Sequence, residues 1–396
     1  MTRKPSLLII FLTVFIDLIG FGIVMPLLPI YSKEFGATGW MNGAIVGSFS
    51  LMQFVFAPWW GRLSDRVGRR PVLLVSNFGS AVAYAMFGYA STFTGEKALW
   101  LLLVSRVFAG ICGANLSVAS AYIADVSPPE KRSKSMGLIG MAFGFGFIMG
   151  PALGSFSADK FGHSGPGWVA GAICAVNFIL TAILLVESRK PTGEPHVYRV
   201  RLAQWAHTFQ NRTVAFLIVI YFFATFAFAS FEMTIGFILR DNFGYGPKQI
   251  GYYITYCGVL SALLQGGGIG PLVKRFGERT LLSMALIITA VGLLLLPFMT
   301  SQAGLLIALG VFAFGSGIHR PPLFGLISLL TPSNEQGATM GVSQSASSLA
   351  RIVAPFFAAT LYDHSKALPY MICAVMSLVC GLVAYSYLNR PETKGH

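Results

Sequence analysis

The chain contains 396 residues, of which 55% are hydrophobic and 11% are charged. Soluble domains carry about 25% charged residues, so this chain has too few charged side chains to cover a water-exposed surface. Its net charge of +13 would suit a nucleic-acid partner in a soluble protein, but the basic residues lie in short breaks between apolar segments and form no continuous face. Composition therefore excludes an ordinary soluble domain and a nucleic-acid partner, and it predicts a membrane protein.

A helix that crosses the hydrocarbon core of a bilayer needs roughly 20 mostly apolar residues. By this measure the sequence predicts an all-α, polytopic fold with twelve transmembrane helices, called spans 1 to 12, at 6–31, 40–60, 71–91, 98–124, 134–157, 166–186, 213–238, 248–270, 279–299, 303–330, 338–361 and 367–388. Span 1 is much longer than the apolar core of a signal peptide and has no small-residue cleavage site, so we expect it to stay uncleaved. All five cysteines lie inside spans without a CxxC pair, which favours packing roles over disulfides or metal ligands.

The polar segment 188–212 contains prolines, charges and an amphipathic end, so we expect a cytoplasmic linker that holds a short interfacial helix. It divides the chain into an N-terminal six-helix bundle, residues 1–187, and a C-terminal six-helix bundle, residues 213–396. If both termini are cytoplasmic, the inner segments carry 19 Lys and Arg residues and the outer loops carry six. Since cytoplasmic loops are enriched in Lys and Arg, we expect a monomeric, multi-pass protein in the lipid bilayer of the cell (inner) membrane, with both termini cytoplasmic.

The two predicted bundles repeat each other in sequence. The segment "LLLVSRVFAGICGAN" begins at residue 101, and "LLIALGVFAFGSGIH" follows 204 residues later; "GRLSDRVGRR" at 61–70 matches "GPLVKRFGER" at 270–279 with an offset of 209. Two parallel copies related by an axis along the membrane normal form a known transporter architecture, which predicts a substrate site at mid-membrane between the halves and alternating access by rocking. Because no GxxxxGK[ST] loop, nucleophile–base pair or metal-ligand spacing stands out, we expect neither an enzyme nor a cofactor or metal.

Four segments carry a resemblance to a known family. They are "FIDLIGFGIVMPLLP" (15–29) in span 1, "GRLSDRVGRRPVLL" (61–74) between spans 2 and 3, "LLVSRVFAGICGA" (102–114) in span 4 and "GFGFIMGPALGS" (144–155) in span 5. In this order they resemble the major facilitator superfamily, especially its twelve-span drug/proton antiporters such as the bacterial tetracycline exporters. The resemblance covers essentially the whole chain. It implies a secondary active transporter that exports a small organic molecule, its substrate, in exchange for protons.

The resemblance also implies two conformational elements. The first is a latch on the cytoplasmic side, in which Asp65 docks near residues 335–337 at the start of span 11 and Arg69 pairs with Asp125; the latch residues are Gly61, Asp65, Arg66, Gly68, Arg69 and Asp125. The second is the antiporter motif of span 5, which would seal the interface between the halves against proton leak; its residues are Gly146, Gly150, Pro151 and Gly154. The alternatives are a basic loop that only sets the topology and a span that is merely closely packed.

Charged side chains inside spans are costly to bury and therefore mark functional sites. Asp17 in span 1 is the first candidate for the coupled proton, because a carboxyl group in a low-dielectric setting can bind and release a proton near neutral pH. The alternative is a fixed ion pair with Arg106. Glu232 in span 7 is the second carboxylate, either a site for a proton or cationic substrate or a rim residue in water. Arg106 lies on one stripe with small residues of span 4, and the resemblance implies a role in proton relay beside Asp17.

His319, Arg320 and Arg351 form a second, cationic group of candidates. Arg320 precedes two prolines that break span 10, and Arg351 lies in the small, hydroxyl-rich segment "SQSASSLARIVAP" of span 11. These arginines can bind an anionic group of a substrate, and His319 can titrate; alternatively, Glu232, Asp17 or main-chain carbonyls neutralise the arginines. Further polar residues that we expect to line the substrate cavity are Gln53, Asn115 and Gln344.

The chain departs from the tetracycline exporters at three positions. Those proteins carry an acidic residue in span 3, a histidine in span 8 and an acidic residue in span 9, where this sequence has Ala83, Ser261 and a position near Thr289. Together with the added arginines, these departures argue against tetracycline and toward an anionic or zwitterionic compound. We therefore predict proton-coupled antiport of a small organic, amphiphilic compound by alternating access, with export of an organic anion or metabolite, such as a siderophore or carboxylate, as the alternative.

Overall fold

The computed structural model describes residues 6–127, 132–188, 208–331 and 336–388. Across these ranges the chain is helical and contains no strand, which confirms the predicted all-α class. The helices of the first half are α1 (Leu7–Val24), α2 (Leu28–Glu34), α3 (Gly39–Val67), α4 (Arg69–Ala90), α5 (Gly95–Cys112), α6 (Leu116–Val126), α7 (Arg132–Phe161) and α8 (Gly165–Leu184). Those of the second half are α9 (Arg212–Phe243), α10 (Pro247–Leu263), α11 (Ile269–Phe276), α12 (Glu278–Leu295), α13 (Gln302–Ile318), α14 (Arg320–Leu329), α15 (Gln336–His364) and α16 (Leu368–Leu388).

Several predicted spans consist of two helices, because short irregular turns interrupt them. A 3₁₀ turn at Gly113–Asn115 separates α5 from α6 within span 4. Within the described residues, ten helical segments are long and apolar enough to cross a bilayer. The other two predicted spans are helical as well: a π-helical turn at Leu264–Gly268 divides span 8, and span 11 is α15, whose serines and glutamines make it less apolar. The chain is therefore a multi-pass membrane protein.

The surface of the described helices carries many large apolar side chains. Leu329 is 76% exposed, Leu263 68% and Ile307 64%. In water such side chains would favour aggregation, whereas lipid tails cover them at no cost. Beneath this surface, one apolar core in the first half surrounds Tyr122 and one in the second half surrounds Tyr221.

The described residues form two compact units. The first unit contains the described part of Met1–Val197 together with Tyr245–Thr255, so the beginning of α10 packs with the first half of the chain. The second unit contains the described part of Tyr198–Gly244 and of Tyr256–His396. Residues 189–207 of the predicted linker lie outside the described ranges, and the boundaries proposed for the two bundles stay a prediction.

In the first unit, glycines bring the backbones of α1 and α7 into direct contact. A Cβ atom built on Gly150 would lie 2.5 Å from the Cα of Gly22, and one built on Gly154 would lie 2.5 Å from the carbonyl oxygen of Ile23. A Cβ on Gly22 would in turn lie 2.7 Å from the carbonyl oxygen of Gly146. Small residues permit such close approach of helices in lipid. The antiporter motif therefore fixes α7 against the helix that carries Asp17.

The repeated segment between spans 2 and 3 recurs as a repeated turn. Gly68 has φ 102° and ψ 160° between α3 and α4, and Gly277 has φ 74° and ψ 158° between α11 and α12. Positive φ at these values favours glycine over any residue with a Cβ. In the first unit Arg70 donates to the carbonyl of Ala182 at 2.6 Å. In the second unit Arg279 donates to the carbonyl of Leu388 at 3.0 Å, so each arginine holds the end of the last helix of its own half of the chain.

Candidate functional site

Asp17 lies in the interior of α1, half-buried, and its surroundings are neutral. The side chains of Asn115 and Ser80 hydrogen-bond its carboxyl group. Ser80 belongs to α4, and Asn115 ends the 3₁₀ turn between α5 and α6. Gln53 donates to the carbonyl oxygen of Gly113 in the same turn at 2.9 Å. Of the predicted cavity residues, Gln53 thus positions the turn, and the turn presents Asn115 to Asp17.

Arg106 is 2% exposed, yet among the described residues it makes no ion pair with Asp17 or any other carboxylate. Its guanidinium lies over the rings of Tyr84 and Phe87, each 5.3 Å from the ring centroid. Its Nε and Nη2 atoms have no hydrogen-bond partner in the described part of the chain. Tyr84 interacts electrostatically with both Asp17 and Arg106. The structure therefore brings the two charged side chains together through a tyrosine rather than through a fixed ion pair.

Tyr84 was not predicted as a site residue, although one signal was available. It directly follows Ala83, the position where the tetracycline exporters carry an acid in the resemblance drawn from sequence. Ala83 itself is fully buried. The phenol of the next residue, rather than a carboxylate at position 83, is the group of this helix that interacts with both Asp17 and Arg106.

In the second unit, Glu232, Arg320 and Arg351 form one charged cluster. Oε2 of Glu232 on α9 lies 3.9 Å from Nη1 of Arg351 on α15. The Glu232 side chain is 12% exposed, so it is not a rim residue in water. Arg320, at the start of α14, lies over the ring of Tyr221 at 5.9 Å and makes no ion pair within the described ranges. The cluster therefore holds one negative and two positive side chains.

The break between α13 and α14 positions Arg320 and His319. Pro321 and Pro322 lack an N–H group, so they cannot bond the carbonyls one turn earlier, and the helix is interrupted at His319. His319 is buried at 5% exposure beside the main chain of Gly315 and Ser316. Gln344, the remaining predicted cavity residue, is exposed on α15.

Three of the predicted latch residues, Asp65, Arg69 and Asp125, meet at one end of the first unit. Arg69 is 5% exposed. It contacts Oδ1 of Asp65 at 2.8 Å and Oδ2 of Asp125 at 3.1 Å. It also donates to Oγ of Ser64 at 2.6 Å. Arg66 is exposed, and a Cβ on Gly61 would have its nearest contact at 4.0 Å, to Oγ of Ser117. Of residues 335–337, near which the resemblance places the docking of Asp65, residue 335 lies outside the described ranges, and the docking stays a prediction.

Glu187 completes this cluster, although the sequence places it only as the last residue of the predicted N-terminal bundle, 1–187. Its Oε1 accepts the backbone N–H of Arg69 at 2.9 Å, and its Oε2 accepts that of Arg70 at 3.0 Å. These are the first N–H groups of α4, which have no partner inside the helix, and a carboxylate there also complements the helix dipole. A Cβ on Gly68 would lie 2.5 Å from Oε2 of Glu187, so the glycine makes room for the cap. No local signal in the sequence marks Glu187 for this role.

The antiporter motif also touches the part of α10 that belongs to the first unit. The carbonyl of Pro151 and the side chain of Ser155 lie against Gly251, where a Cβ would clash with both. Thr255 donates to the carbonyl of Ile148 at 3.4 Å. One face of α7 thus contacts α1, and the Pro151–Ser155 turn contacts α10.

Comparison with known proteins shows which family model and which relatives this chain matches. The family model described as Major Facilitator Superfamily matches residues 10–269 and 217–396. The tetracycline resistance protein, class C, of Escherichia coli is 31% identical over 395 residues, covering 96% of this chain and 96% of that protein. The quinolone resistance protein NorA of Staphylococcus aureus is 27% identical over 399 residues, covering 99% of each chain.

Solved structures show the same fold. The human organic anion transporter MFSD10 (TETRAN) superimposes with a TM-score of 0.69 at 24% identity, covering 96% of this chain and all of that one. The nucleoside transporter NupG superimposes with a TM-score of 0.78 at 12% identity, covering 97% and 99% of the two chains.

Proposed function

Because this chain belongs to the major facilitator superfamily, we propose that it is a secondary active transporter that exports a small organic, amphiphilic compound in exchange for protons. The relatives named for tetracycline and quinolone resistance support drug export. We further propose that it works as a monomer in the inner membrane with both termini in the cytoplasm, as the distribution of Lys and Arg favours.

The observation that carries this proposal is the setting of Asp17. Its carboxyl group lies inside an apolar helix, is hydrogen-bonded by Asn115 and Ser80, and forms no ion pair among the described residues. A charged carboxylate is costly in such surroundings, whereas the neutral acid is not. Hydroxyl and amide groups can hydrogen-bond either form. The site therefore suits a group that gains and loses a proton in each transport cycle.

The packing of α1 suggests how a proton at Asp17 would influence transport. Gly22 lies five residues beyond Asp17 on α1 and touches the backbone of Gly150 on α7. Interfaces packed this closely shift as rigid bodies rather than deform. In this proposal, protonation of Asp17 changes the free energy of α1 in its polar surroundings, and α7 moves with it during alternating access.

The experiment that tests the proposal compares Asp17→Asn with the native chain in proteoliposomes. We expect the Asp17→Asn substitution to abolish export driven by a pH gradient while leaving substrate exchange without a gradient intact. Glu96→Gln is the control, because Glu96 is an exposed carboxylate in the first turn of α5. Proton flux in Asp17→Asn equal to that of the native protein would refute proton coupling through this residue.

A second candidate function is export of an organic anion, which the cluster of Glu232, Arg320 and Arg351 favours. Glu232 neutralises one of the two arginines, so the cluster keeps one excess positive charge inside the membrane-spanning helices. The replacements at Ala83, Ser261 and Thr289 support a substrate other than tetracycline. We expect Arg320→Gln to weaken binding of anionic compounds more than that of neutral compounds of equal size. Equal losses for both classes, measured by ligand-induced thermal shifts, would exclude this candidate.

A further inference from the structure

An acid and a histidine form a pair at the outer end of the first unit. Nε2 of His163, in the turn between α7 and α8, lies 2.6 Å from Oε2 of Glu34 at the end of α2. Gly162 has φ +68° and turns the chain back toward α2 at this point. The side chain of His163 is 48% exposed and that of Glu34 24% exposed. The pair therefore has access both to water and to the interior of the unit.

Tyr31 connects this pair to the interior. Its ring centroid lies 4.7 Å from that of His163 and 6.3 Å from that of Phe87, on which it stacks. Tyr31 is 1% exposed, and its hydroxyl group has no hydrogen-bond partner in the described part of the chain. A buried hydroxyl group on a ring that contacts a surface histidine can pass a proton inward, since it can donate one proton and accept another.

The distance that remains between Tyr31 and Asp17 can be measured along helix α4. Phe87 faces Tyr31, Tyr84 lies one turn deeper, and Ser80 another turn deeper hydrogen-bonds Asp17. At 1.5 Å per residue, Ser80 and Phe87 are about 10 Å apart along the helix. The guanidinium of Arg106 lies over both Tyr84 and Phe87. Polar groups thus follow one face of α4 from Asp17 to the outer end of the unit.

Three buried polar atoms along this face lack a protein partner among the described residues: the hydroxyl oxygen of Tyr31 and the Nε and Nη2 atoms of Arg106. Buried donors of this kind are normally satisfied by ordered water. Water held by these atoms would bridge the interval between His163 and Asp17. A chain of water and hydroxyl groups is what a proton needs in order to cross an otherwise apolar region.

We propose that the Glu34–His163 pair is the outer proton-exchange site of the transporter and that it connects the external solution to Asp17 along α4, past Tyr31, Arg106 and Tyr84. The inference rests on the proposed function, in which Asp17 carries the coupled proton. A proton leaves external hydronium and binds the imidazole–carboxylate pair. The pair then releases it through water and the Tyr31 hydroxyl to the carboxylate of Asp17, and the imidazole and Glu34 return to their initial state. Arg106 stays protonated throughout and orients the water.

The other charged groups near His163 are engaged elsewhere. Asp159, in the last turn of α7, pairs with Lys248 at 3.0 Å. The ammonium group of Lys160 lies over the ring of Phe156 at 5.0 Å. Lys33 precedes Glu34 on α2, and the first turn of α8 has no charged residue. Within the described ranges, Glu34 is therefore the ionic partner of His163.

The test uses the full-length protein in proteoliposomes loaded with a pH-sensitive dye. His163→Gln should slow proton uptake from the outer side about a hundredfold, the lower end of what a positioned proton-transfer group contributes, while equilibrium binding of substrate stays unchanged. Imidazole added to the outer buffer should restore the rate, because it replaces the missing base. His364→Gln is the matched control: this histidine lies at the end of α15 in the second unit, exposed and next to the carbonyl of Thr360. The His364→Gln variant should take up protons at the native rate.

Two results would overturn the route. One is a native rate in His163→Gln; the other is a slow rate that imidazole does not restore, which would mean that the pair only fixes the loop to α2. If His163→Gln does not fold, Tyr31→Phe removes a single hydroxyl group and must also slow proton uptake, and a native rate there would equally refute the route. Coupled proton flux that persists in Asp17→Asn would instead refute the proposed function itself, so the two failures are distinguishable.

Discussion

Replacing Gly150 by alanine is the most direct test of how α1 is held. The new Cβ would lie 2.5 Å from both the Cα and the carbonyl carbon of Gly22. Carbon atoms in favourable contact are about 3.5–4.0 Å apart, so α1 would have to retreat by about 1 Å. The obstructing atoms are backbone and cannot rotate away. Overpacking of this kind costs about 1–3 kcal/mol, and we expect Gly150→Ala to lose about 2 kcal/mol of stability.

Gly144→Ala is the matched control on the same helix. A Cβ at Gly144 meets no atom within 4 Å, and alanine is favoured over glycine inside a helix by about 0.5–1 kcal/mol. This variant should therefore be as stable as the native chain or slightly more stable. Denaturant-induced unfolding in mixed micelles measures both variants, and transport driven by a pH gradient shows whether the displaced α1 still supports coupling. Equal unfolding midpoints for the two variants would refute the backbone-contact argument.

Three further substitutions test caps and charges. Glu187→Ala removes the carboxylate that caps α4 and should cost about 1 kcal/mol; an unchanged thermal midpoint would contradict the capping role. Asn211→Ala removes an oxygen that accepts the first N–H groups of α9 at 3.2 Å; a similar loss is expected, and Asn211→Ser should retain most of the stability. Glu232→Gln leaves Arg351 without its carboxylate, so we expect this variant to be less stable than the native chain. The double variant Glu232→Gln/Arg351→Gln should regain part of the lost stability. Strict additivity in this cycle would show that the two side chains do not interact across 3.9 Å.

Most of the helical framework was predictable because hydropathy and length determine which segments cross a bilayer. Spans 8 and 11 are the least regular or least apolar spans in the structure, and small residues explain both cases. The π turn at Leu264–Gly268 contains three glycines, and α15 contains a run of serines. Such residues lower the hydropathy of a span without preventing helix formation, so the length of mostly apolar sequence still predicted both spans correctly as helices.

The candidate sites were only partly predictable, since their partners are distant in sequence. The pairing of Arg69 with Asp125 followed from the family resemblance, and the two side chains lie 3.1 Å apart. Nothing local marks Glu187 as a cap for α4, 117 residues earlier in the chain. The Glu34–His163 contact likewise joins residues separated by 129 positions. Contacts of this kind depend on how the helices pack, and a single sequence contains no pattern that specifies them.

The position of Glu187 also bears on how the molecule could be divided. Ser188, the next residue, donates to Oδ2 of Asp125 at 3.1 Å, so the segment that follows α8 is bound at two points, to the N-terminal end of α4 and the C-terminal end of α6. A gene split before codon 187 would produce a fragment whose fourth helix begins with bare amide groups. A split after codon 188 would keep both attachments, and that boundary is the one to use for co-expression of the halves as separate polypeptides.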